Sequence, residues 1–203
     1  AVRKNSDLKW INNQPVKLKY GTLNDKIFLK EIISETDIVI HCAGVVRALT
    51  WDTYKDVNVT GTKNIIEAVL ENNKNLKKFI FISSQAAMGP SFEDKTRKIG
   101  DIESPVSDYG KSKLLAEQEV KKLKGIVPYC ILRPAAVYGP RDKDIFAFFN
   151  MVNKHIAPKT VKEHLIQLVF VKDIAKIAIK TINNPVSDNK IYYLADGKIY
   201  SWQ

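Results

Sequence analysis

Short apolar runs and longer amphipathic stretches alternate along this chain. Strand-sized apolar runs lie at residues 37–44, 78–83, 127–132 and 191–194, and residues 16–20 alternate apolar with polar side chains. Helical spacing of the apolar positions marks residues 26–33, 51–73, 107–124, 145–153 and 171–183. Strands that alternate with helices build a parallel sheet covered on both faces. The pattern therefore predicts an α/β fold with a doubly wound, Rossmann-like parallel sheet.

Composition narrows the class of protein. The chain has 203 residues, of which 45% are hydrophobic and 27% charged, as in globular proteins of one ordinary domain. The net charge of +10 comes from lysines scattered along the predicted helices, without an arginine-rich cluster. We therefore expect no nucleic-acid partner. The apolar runs are far shorter than a membrane span, so no membrane partner is expected either.

Cysteines and histidines give no sign of a metal site. Cys42 and Cys130 lie in apolar strand-like runs, which predicts buried, inert thiols in a reducing, cytoplasmic location. His41, His155 and His164 share no ligand spacing. We expect no bound metal.

Three residues in two neighbouring segments suggest catalysis. Tyr109 and Lys113 are four residues apart on a predicted helix and so share one face. A lysine there is expected to lower the pKa of the tyrosine, as a general acid or base requires. Ser84 stands where an apolar run breaks into small residues, at the expected end of a strand. Such a set can handle the proton of a carbinol.

A tyrosine and a lysine at this spacing occur about once by chance in a chain of this composition, so the surrounding motifs decide. Six of them follow one another: HCAG at 41–44, VNVTGT at 57–62, SSQAAMG at 83–89, YGKSK at 109–113, RPAAVYGP at 133–140 and VFVKDIAKIAI at 169–179. In this order and spacing the chain resembles the extended short-chain dehydrogenases/reductases, the NAD-dependent epimerase/dehydratase family, over essentially its whole length.

The resemblance implies site residues and a reaction. Catalysis would rest on Ser84, Tyr109 and Lys113, with Asn58 ordering nearby backbone or a water. Tyr109 would exchange a proton with a substrate hydroxyl while hydride passes to or from a nicotinamide. The implied cofactor-binding residues are Arg3, Thr22, Leu23, Cys42, Ala43, Gly44, Tyr109, Lys113, Pro134, Ala136 and Val137. The implied substrate-binding residues are Val45, Arg47, Gln85 and Arg141.

The cofactor is expected to be NADP or NAD. Arg3 falls at the end of the second strand of the resembled fold, where arginine accommodates a 2′-phosphate and an acidic residue selects NAD. Arg3 and Lys4 therefore favour NADP, although they also fit an ordinary basic pair on the surface.

Three departures from the family pattern matter. No G-x-x-G-x-x-G turn occurs, although such a turn holds the cofactor pyrophosphate. We therefore expect the sequence to start partway through a protein, and to stop before its substrate domain is complete. Thr22 stands where the family often has aspartate, and Met88 stands where many sugar epimerases have tyrosine.

The expected domain division of the chain is an incomplete dinucleotide-binding domain at 1–138, a substrate-side segment at 139–168 and a return to the core at 169–203.

The sequence thus favours an NAD(P)-dependent oxidoreductase or epimerase acting on a secondary alcohol or ketone, in first place a nucleotide-sugar. An NADPH reductase similar to dihydroflavonol reductase or 3β-hydroxysteroid dehydrogenase is the alternative. A further alternative is a non-catalytic member that senses NADP or binds a protein. The resemblance also implies a homodimer that pairs helices 51–73 and 107–124. Specificity is expected in the segments 89–105 and 139–167.

Overall fold

The computed structural model describes residues 1–91, 96–156 and 164–202. Parts of the two predicted specificity segments, residues 92–95 and 157–163, therefore lie outside the described residues. Six α-helices follow in chain order: α1 Lys26–Ser34, α2 Trp51–Tyr54, α3 Gly61–Asn72, α4 Asp108–Lys121, α5 Asp144–Asn153 and α6 Val171–Ile182. Eight strands are β1 Ile38–His41, β2 Lys78–Ile82, β3 Tyr129–Pro134, β4 Ala136–Tyr138, β5 His164–Ile166, β6 Leu168–Phe170, β7 Lys190–Leu194 and β8 Tyr200–Trp202.

The central sheet has four strands in the order β1-β2-β3-β7, and every neighbouring pair is parallel. The carboxyl ends of all four strands therefore meet at one edge. Beyond that edge, β4 pairs in parallel with β6, and β5 pairs antiparallel with β8. These two small ladders lie on the side of the molecule where doubly wound folds bind ligands.

Helices cover both faces of the sheet, as the alternation of strands and helices predicts. Phe79 and Phe81 of β2 point to one face, where they pack with α1, α3 and α4. Ile80 points to the opposite face, where it packs with α6 through Ala178. The two-residue period of β2 thus feeds two apolar cores. The fold is the predicted α/β doubly wound parallel sheet.

Three local predictions were wrong. Residues 16–20 do not form a strand, because Tyr20 makes only an isolated parallel bridge to Val2. The run at 37–44 is not buried throughout: β1 is at the edge of the four-stranded sheet, and Ile40 is 42% exposed. The helix expected at 51–73 is not uniform, because residues Lys55–Thr60 form a π-helical stretch between α2 and α3.

The described residues contain neither a membrane-spanning helix nor a metal-binding cluster. No helix in that part of the chain is both long and apolar enough to cross a membrane. No group of histidine, cysteine, aspartate and glutamate side chains in it could hold a metal ion.

Candidate active site

Ser84 lies at the carboxyl edge of the sheet, two residues after Ile82, the last residue of β2. Its backbone is extended, and its hydroxyl accepts a hydrogen bond from the amide of Ala86 at 3.2 Å, which caps the single 3₁₀ turn Gln85–Ala87. Because the backbone is extended, successive side chains point to opposite sides. Ser83 is therefore directed into the protein and is 3% exposed, whereas Ser84 remains partly exposed.

Helix α4 brings Tyr109 and Lys113 to this edge. Ser107 caps the helix by accepting from the amide of Gly110 at 3.1 Å. The first turn packs so closely on the 3₁₀ turn that a Cβ on Gly110 would lie 2.3 Å from the carbonyl oxygen of Ala86. Glycine at position 110 is thus what lets the tyrosine approach the serine.

The phenol of Tyr109 is partly buried between Ser84 and Tyr54. Its ring centroid lies 6.3 Å from that of Tyr54. Burial raises the pKa of Tyr109 above its ordinary value, and the hydrogen bond with Ser84 acts in the opposite direction. The expected lowering of the Tyr109 pKa by Lys113 was therefore wrong for this structure, because burial dominates.

Lys113 is 5% exposed, and its ammonium donates to the carbonyl oxygen of Ile82 at 2.8 Å. The same ammonium lies 4.2 Å from the centre of the Phe81 ring. Burial lowers the pKa of Lys113 to about 8, while the Glu117 carboxylate acts to raise it. The ammonium of Lys113 is thus held at Ile82, the last residue of β2, which comes one residue before Ser83 and two residues before Ser84.

Asn58 orders the backbone after β1, which was one of its two expected roles. Its side-chain oxygen accepts from the amide of Val45 at 2.8 Å, and its side-chain nitrogen donates to the carbonyl of Val45 at 3.0 Å. The same nitrogen donates to the Ser112 hydroxyl at 2.9 Å. Asn58 lies in the π-helical stretch, a feature that often marks functional sites.

A buried chain of hydrogen bonds continues from Asn58 to β1. Thr62 donates its hydroxyl proton to the carbonyl of Asn58 at 2.7 Å, and the Nε2 atom of His41 lies 3.0 Å from the same hydroxyl oxygen. Because the Thr62 hydroxyl has a single proton, which it donates to Asn58, Nε2 of His41 must donate to the hydroxyl oxygen. Burial lowers the pKa of His41 to about 3, so the ring is neutral at pH 7. His41 belongs to this network and stabilises the π-helical stretch.

Tyr54 fixes the rest of the loop after β1. Its hydroxyl accepts from the amide of Ala48 at 3.0 Å and donates to the carbonyl of Val46 at 3.1 Å. Asn58 and Tyr54 together hold this loop at three residues, Val45, Val46 and Ala48. The expected substrate residues Val45 and Arg47 lie on it, with Arg47 exposed.

The residues expected to hold a cofactor line part of the same edge. Cys42, Ala43 and Gly44 are exposed after β1, so the prediction that Cys42 is buried was wrong, whereas Cys130 is buried as expected. A Cβ on Gly44 would lie 3.0 Å from the side-chain oxygen of Asn58. Glycine at position 44 thus lets the side chain of Asn58 pack closely on the backbone after β1.

The remaining cofactor candidates are spread more widely. Pro134 is buried at the end of β3, and Ala136 and Val137 follow it in β4. Arg3 and Thr22 are exposed, whereas Leu23 packs on the core beside Gly61. Part of the Leu23 side chain thus already packs against the protein interior.

The other substrate candidates lie on two sides of the edge. Gln85 donates from its side chain to the side chain of Gln167 at 2.9 Å. Arg141 is exposed, and its guanidinium lies 4.6 Å from the ring centre of Trp10. Met88 is only 1% exposed, so its side chain fills the core and does not line the site.

One buried ion pair beneath the site was missed by sequence reasoning. Arg133 donates to both carboxylate oxygens of Glu117, at 2.9 and 2.6 Å, and the two residues are 1% and 0% exposed. Ser83 donates its hydroxyl to the same carboxylate at 2.5 Å. The available signal was the spacing of Glu117, which lies four residues after Lys113 on the inner face of α4.

The chain is similar to a family of known proteins. Residues 1–195 match the model of the "NAD dependent epimerase/dehydratase family". The chain is 29% identical over 191 residues to the UDP-glucose 4-epimerase of Vibrio cholerae, covering 87% of this chain and 57% of that protein. It is 31% identical over 189 residues to the 3 beta-hydroxysteroid dehydrogenase/Delta 5-->4-isomerase of Vaccinia virus (strain Ankara), covering 83% and 54%.

A solved structure shares the fold. MoeE5 in complex with UDP-glucose and NAD superposes with a TM-score of 0.77 at 21% identity, covering 91% of this chain and 64% of that one. The chain spans a little over half the length of the two curated relatives, with 57% and 54% covered.

Proposed function

The chain belongs to the NAD dependent epimerase/dehydratase family. We propose that it is part of an NAD(P)-dependent oxidoreductase or epimerase, which acts on a secondary alcohol or ketone through Ser84, Tyr109 and Lys113. The observation that carries the proposal is the convergence of these three side chains at the carboxyl edge of the sheet, where the phenol of Tyr109 interacts with Ser84 and the buried Lys113 binds the carbonyl of Ile82, two residues before Ser84.

The chain's own residues would manage the proton. The raised pKa of Tyr109 keeps its phenol protonated at pH 7, which is the form that donates a proton to a carbonyl oxygen being reduced. Ser84 would hydrogen-bond the same oxygen. In the oxidative direction the Tyr109 phenolate would remove the hydroxyl proton, although burial of Tyr109 disfavours that charged form.

A bound nicotinamide would supply the hydride chemistry. Residues 42–44, which are exposed after β1, would hold its ribose and nicotinamide end together with Lys113, Pro134, Ala136 and Val137. No residue is assigned to the pyrophosphate, because no glycine-rich turn occurs in the sequence. Arg3 and Lys4 favour NADP, whereas the related MoeE5 structure contains NAD.

The proposed substrate is a nucleotide-sugar. Two relatives support it: the epimerase of Vibrio cholerae acts on UDP-glucose by its name, and MoeE5 was solved with that molecule. Val45, Arg47, Gln85 and Arg141 would line its site. We place the reaction in the cytoplasm and, by analogy with the family, in a homodimer through the helices 51–72 and α4.

A steroid-like or other apolar alcohol is the second candidate, and the 31% identity to the viral 3 beta-hydroxysteroid dehydrogenase favours it. Intact Ser84, Tyr109 and Lys113 argue against a non-catalytic role that only senses a nucleotide or binds a protein.

Turnover of two probe substrates tests the proposal. UDP-glucose and a 3β-hydroxysteroid are each incubated with NAD or NADP, and nicotinamide absorbance and product NMR are recorded. Epimer or keto-sugar formation supports the first candidate, and steroid oxidation supports the second.

Tyr109→Phe should reduce the rate about a hundredfold or more. Tyr192→Phe removes a phenol whose hydroxyl contacts the carbonyl of Val186, away from the site, and should leave the rate unchanged. Equal rates in both variants would contradict the role of Tyr109.

A further inference from the structure

The end of β2 is held by one helix at two successive residues. The carbonyl of Ile82 accepts from Lys113 at 2.8 Å, and the hydroxyl of Ser83 donates to Glu117 at 2.5 Å. Ser84 comes next. Both anchoring side chains project from α4, which also carries Tyr109 one turn before Lys113 and two turns before Glu117. The three positions thus form one row along the helix.

Glu117 is itself fixed from the opposite side. Arg133 of β3 binds both of its oxygens, and the second amino group of Arg133 also contacts Glu103 at 3.1 Å. The first amino group donates to the Tyr193 hydroxyl at 3.2 Å. A carboxylate with 0% exposure is normally expensive to bury, and here it is satisfied by three donors.

The geometry points to Glu117 as a positioning residue that sets the separation between Tyr109 and Ser84 and keeps Lys113 charged. It acts through Ser83 and Arg133 and touches no reacting atom. This inference rests on the proposed function for its catalytic consequence, but its electrostatic part can be measured without turnover.

The clamp works because both ends are rigid. Ser83 is also bound through its amide to the carbonyl of Leu132 at 2.7 Å, so β2 cannot slide along β3. Shifting the carboxylate of Glu117 would therefore shift α4 relative to Ser84. A displacement of about 1 Å in such a site can cost about a hundredfold in rate.

Glu117 also lies one turn after Lys113 on the same helix, and its carboxylate acts to raise the pKa of Lys113. The other titratable groups that interact with this ammonium are the thiol of Cys42 and the ring of His41, both from the end of β1. His41 is neutral at pH 7. Without the Glu117 carboxylate, Lys113 would lose the principal anion that opposes its loss of charge by burial.

The test is an NMR titration of lysines labelled with ¹³C at the ε-carbon, with the Lys113 signal assigned from Lys113→Arg. In Glu117→Gln the pKa of Lys113 should fall from about 8 to about 7 or below. The matched control is Glu119→Gln, which removes the same charge two residues away. Glu119 pairs with Lys122 near the surface, so the titration of Lys113 should not change.

Ser83→Ala gives a second measurement that disturbs no charge and tests the clamp if Glu117→Gln fails to fold. We expect kcat to fall about tenfold with an unchanged KM, because an interaction that matters only in the transition state is weakened. An unchanged Lys113 titration in Glu117→Gln overturns the inference, as does an unchanged kcat in Ser83→Ala. If the wild-type protein turns over no alcohol, the proposed function fails, and the titration alone decides the role of Glu117.

Discussion

Two long cationic side chains, Arg133 and Lys78, are each 1% exposed, but they lie at opposite ends of the sheet. The partners of Lys78, at the amino end of β2, are Asp188, the Ser187 hydroxyl and the carbonyl of Asn184. All three belong to the single connection between α6 and β7. The Lys78 cluster therefore fixes one loop.

Arg133 has partners from three separate segments. Glu117 lies on α4, Glu103 lies in the loop before it, and Tyr193 lies on β7. Helix α4 carries Tyr109, and the loop with Glu103 leads into that helix and binds the carbonyl of Met88 through the amide of Ser104 at 2.8 Å. A buried charge at the amino end of the sheet thus stabilises the fold, whereas one at the carboxyl end also determines where the candidate catalytic groups lie.

The largest effect is expected from Arg133→Met. Glu117 would remain fully buried without its cation, which costs about 4 kcal/mol in the free energy of unfolding, measured in urea. Turnover should be lost as well. In Arg133→Met/Glu117→Leu most of the stability should return, because apolar side chains often replace a buried pair without loss. Turnover should stay lost, and its recovery in the double variant would remove the distinction between the two ends.

A smaller effect is expected from Asp188→Ala. This leaves the buried ammonium of Lys78 with only neutral partners, but Asp188 is 35% exposed, so its pair is worth less than a fully buried one. We expect a loss of about 2 kcal/mol in urea unfolding. The kcat of the folded protein should not change. A reduced kcat in this variant would mean that the amino end also influences the site.

The smallest effect concerns acid. The pKa of His41 is about 3 in the folded protein, whereas an unperturbed histidine has a pKa of 6.5. The unfolded state therefore binds the proton first, so stability is present above pH 6.5 and is lost as the pH falls toward 3. Acidification from about pH 7 to about pH 5.5 should cost about 1 kcal/mol of unfolding free energy in the wild type.

His41→Gln is the control for this titration, because glutamine has no proton to gain. The loss in that range should shrink in the variant when urea midpoints are compared at the two pH values. Equal losses in both proteins would show that His41 does not titrate on unfolding.

Sequence patterns were most reliable where a local rule acts alone. Helix α4 was expected at 107–124 and forms at Asp108–Lys121, because Ser107 is a strong cap and the apolar positions recur at helical spacing. The shared face of Tyr109 and Lys113 follows from helix geometry and needs no other part of the chain. The sequence also predicted the parallel sheet, because strands and helices alternate.

Patterns failed where a distant segment decides. Residues 16–20 alternate like a strand, but they form only the bridge from Tyr20 to Val2, since strand formation depends on a partner along the whole run. Cys42 lies in an apolar run and is nevertheless exposed, because β1 ends one residue earlier at His41. The π-helical stretch around Asn58 is joined through Thr62 to His41 of β1, a distant residue that no local rule connects to it.

The sequence by itself thus determined the fold class and the order of the elements, because periodicity and capping are properties of neighbouring residues. It identified the candidate acid–base groups through six motifs in a recognisable order. Only the tertiary structure decided the protonation of those groups. The pKa of Tyr109 is raised and that of Lys113 is lowered, in each case chiefly by burial. Burial of this kind arises when α4 packs on the end of β2, with Glu117 joined to Ser83 and Arg133 across residues distant in the chain.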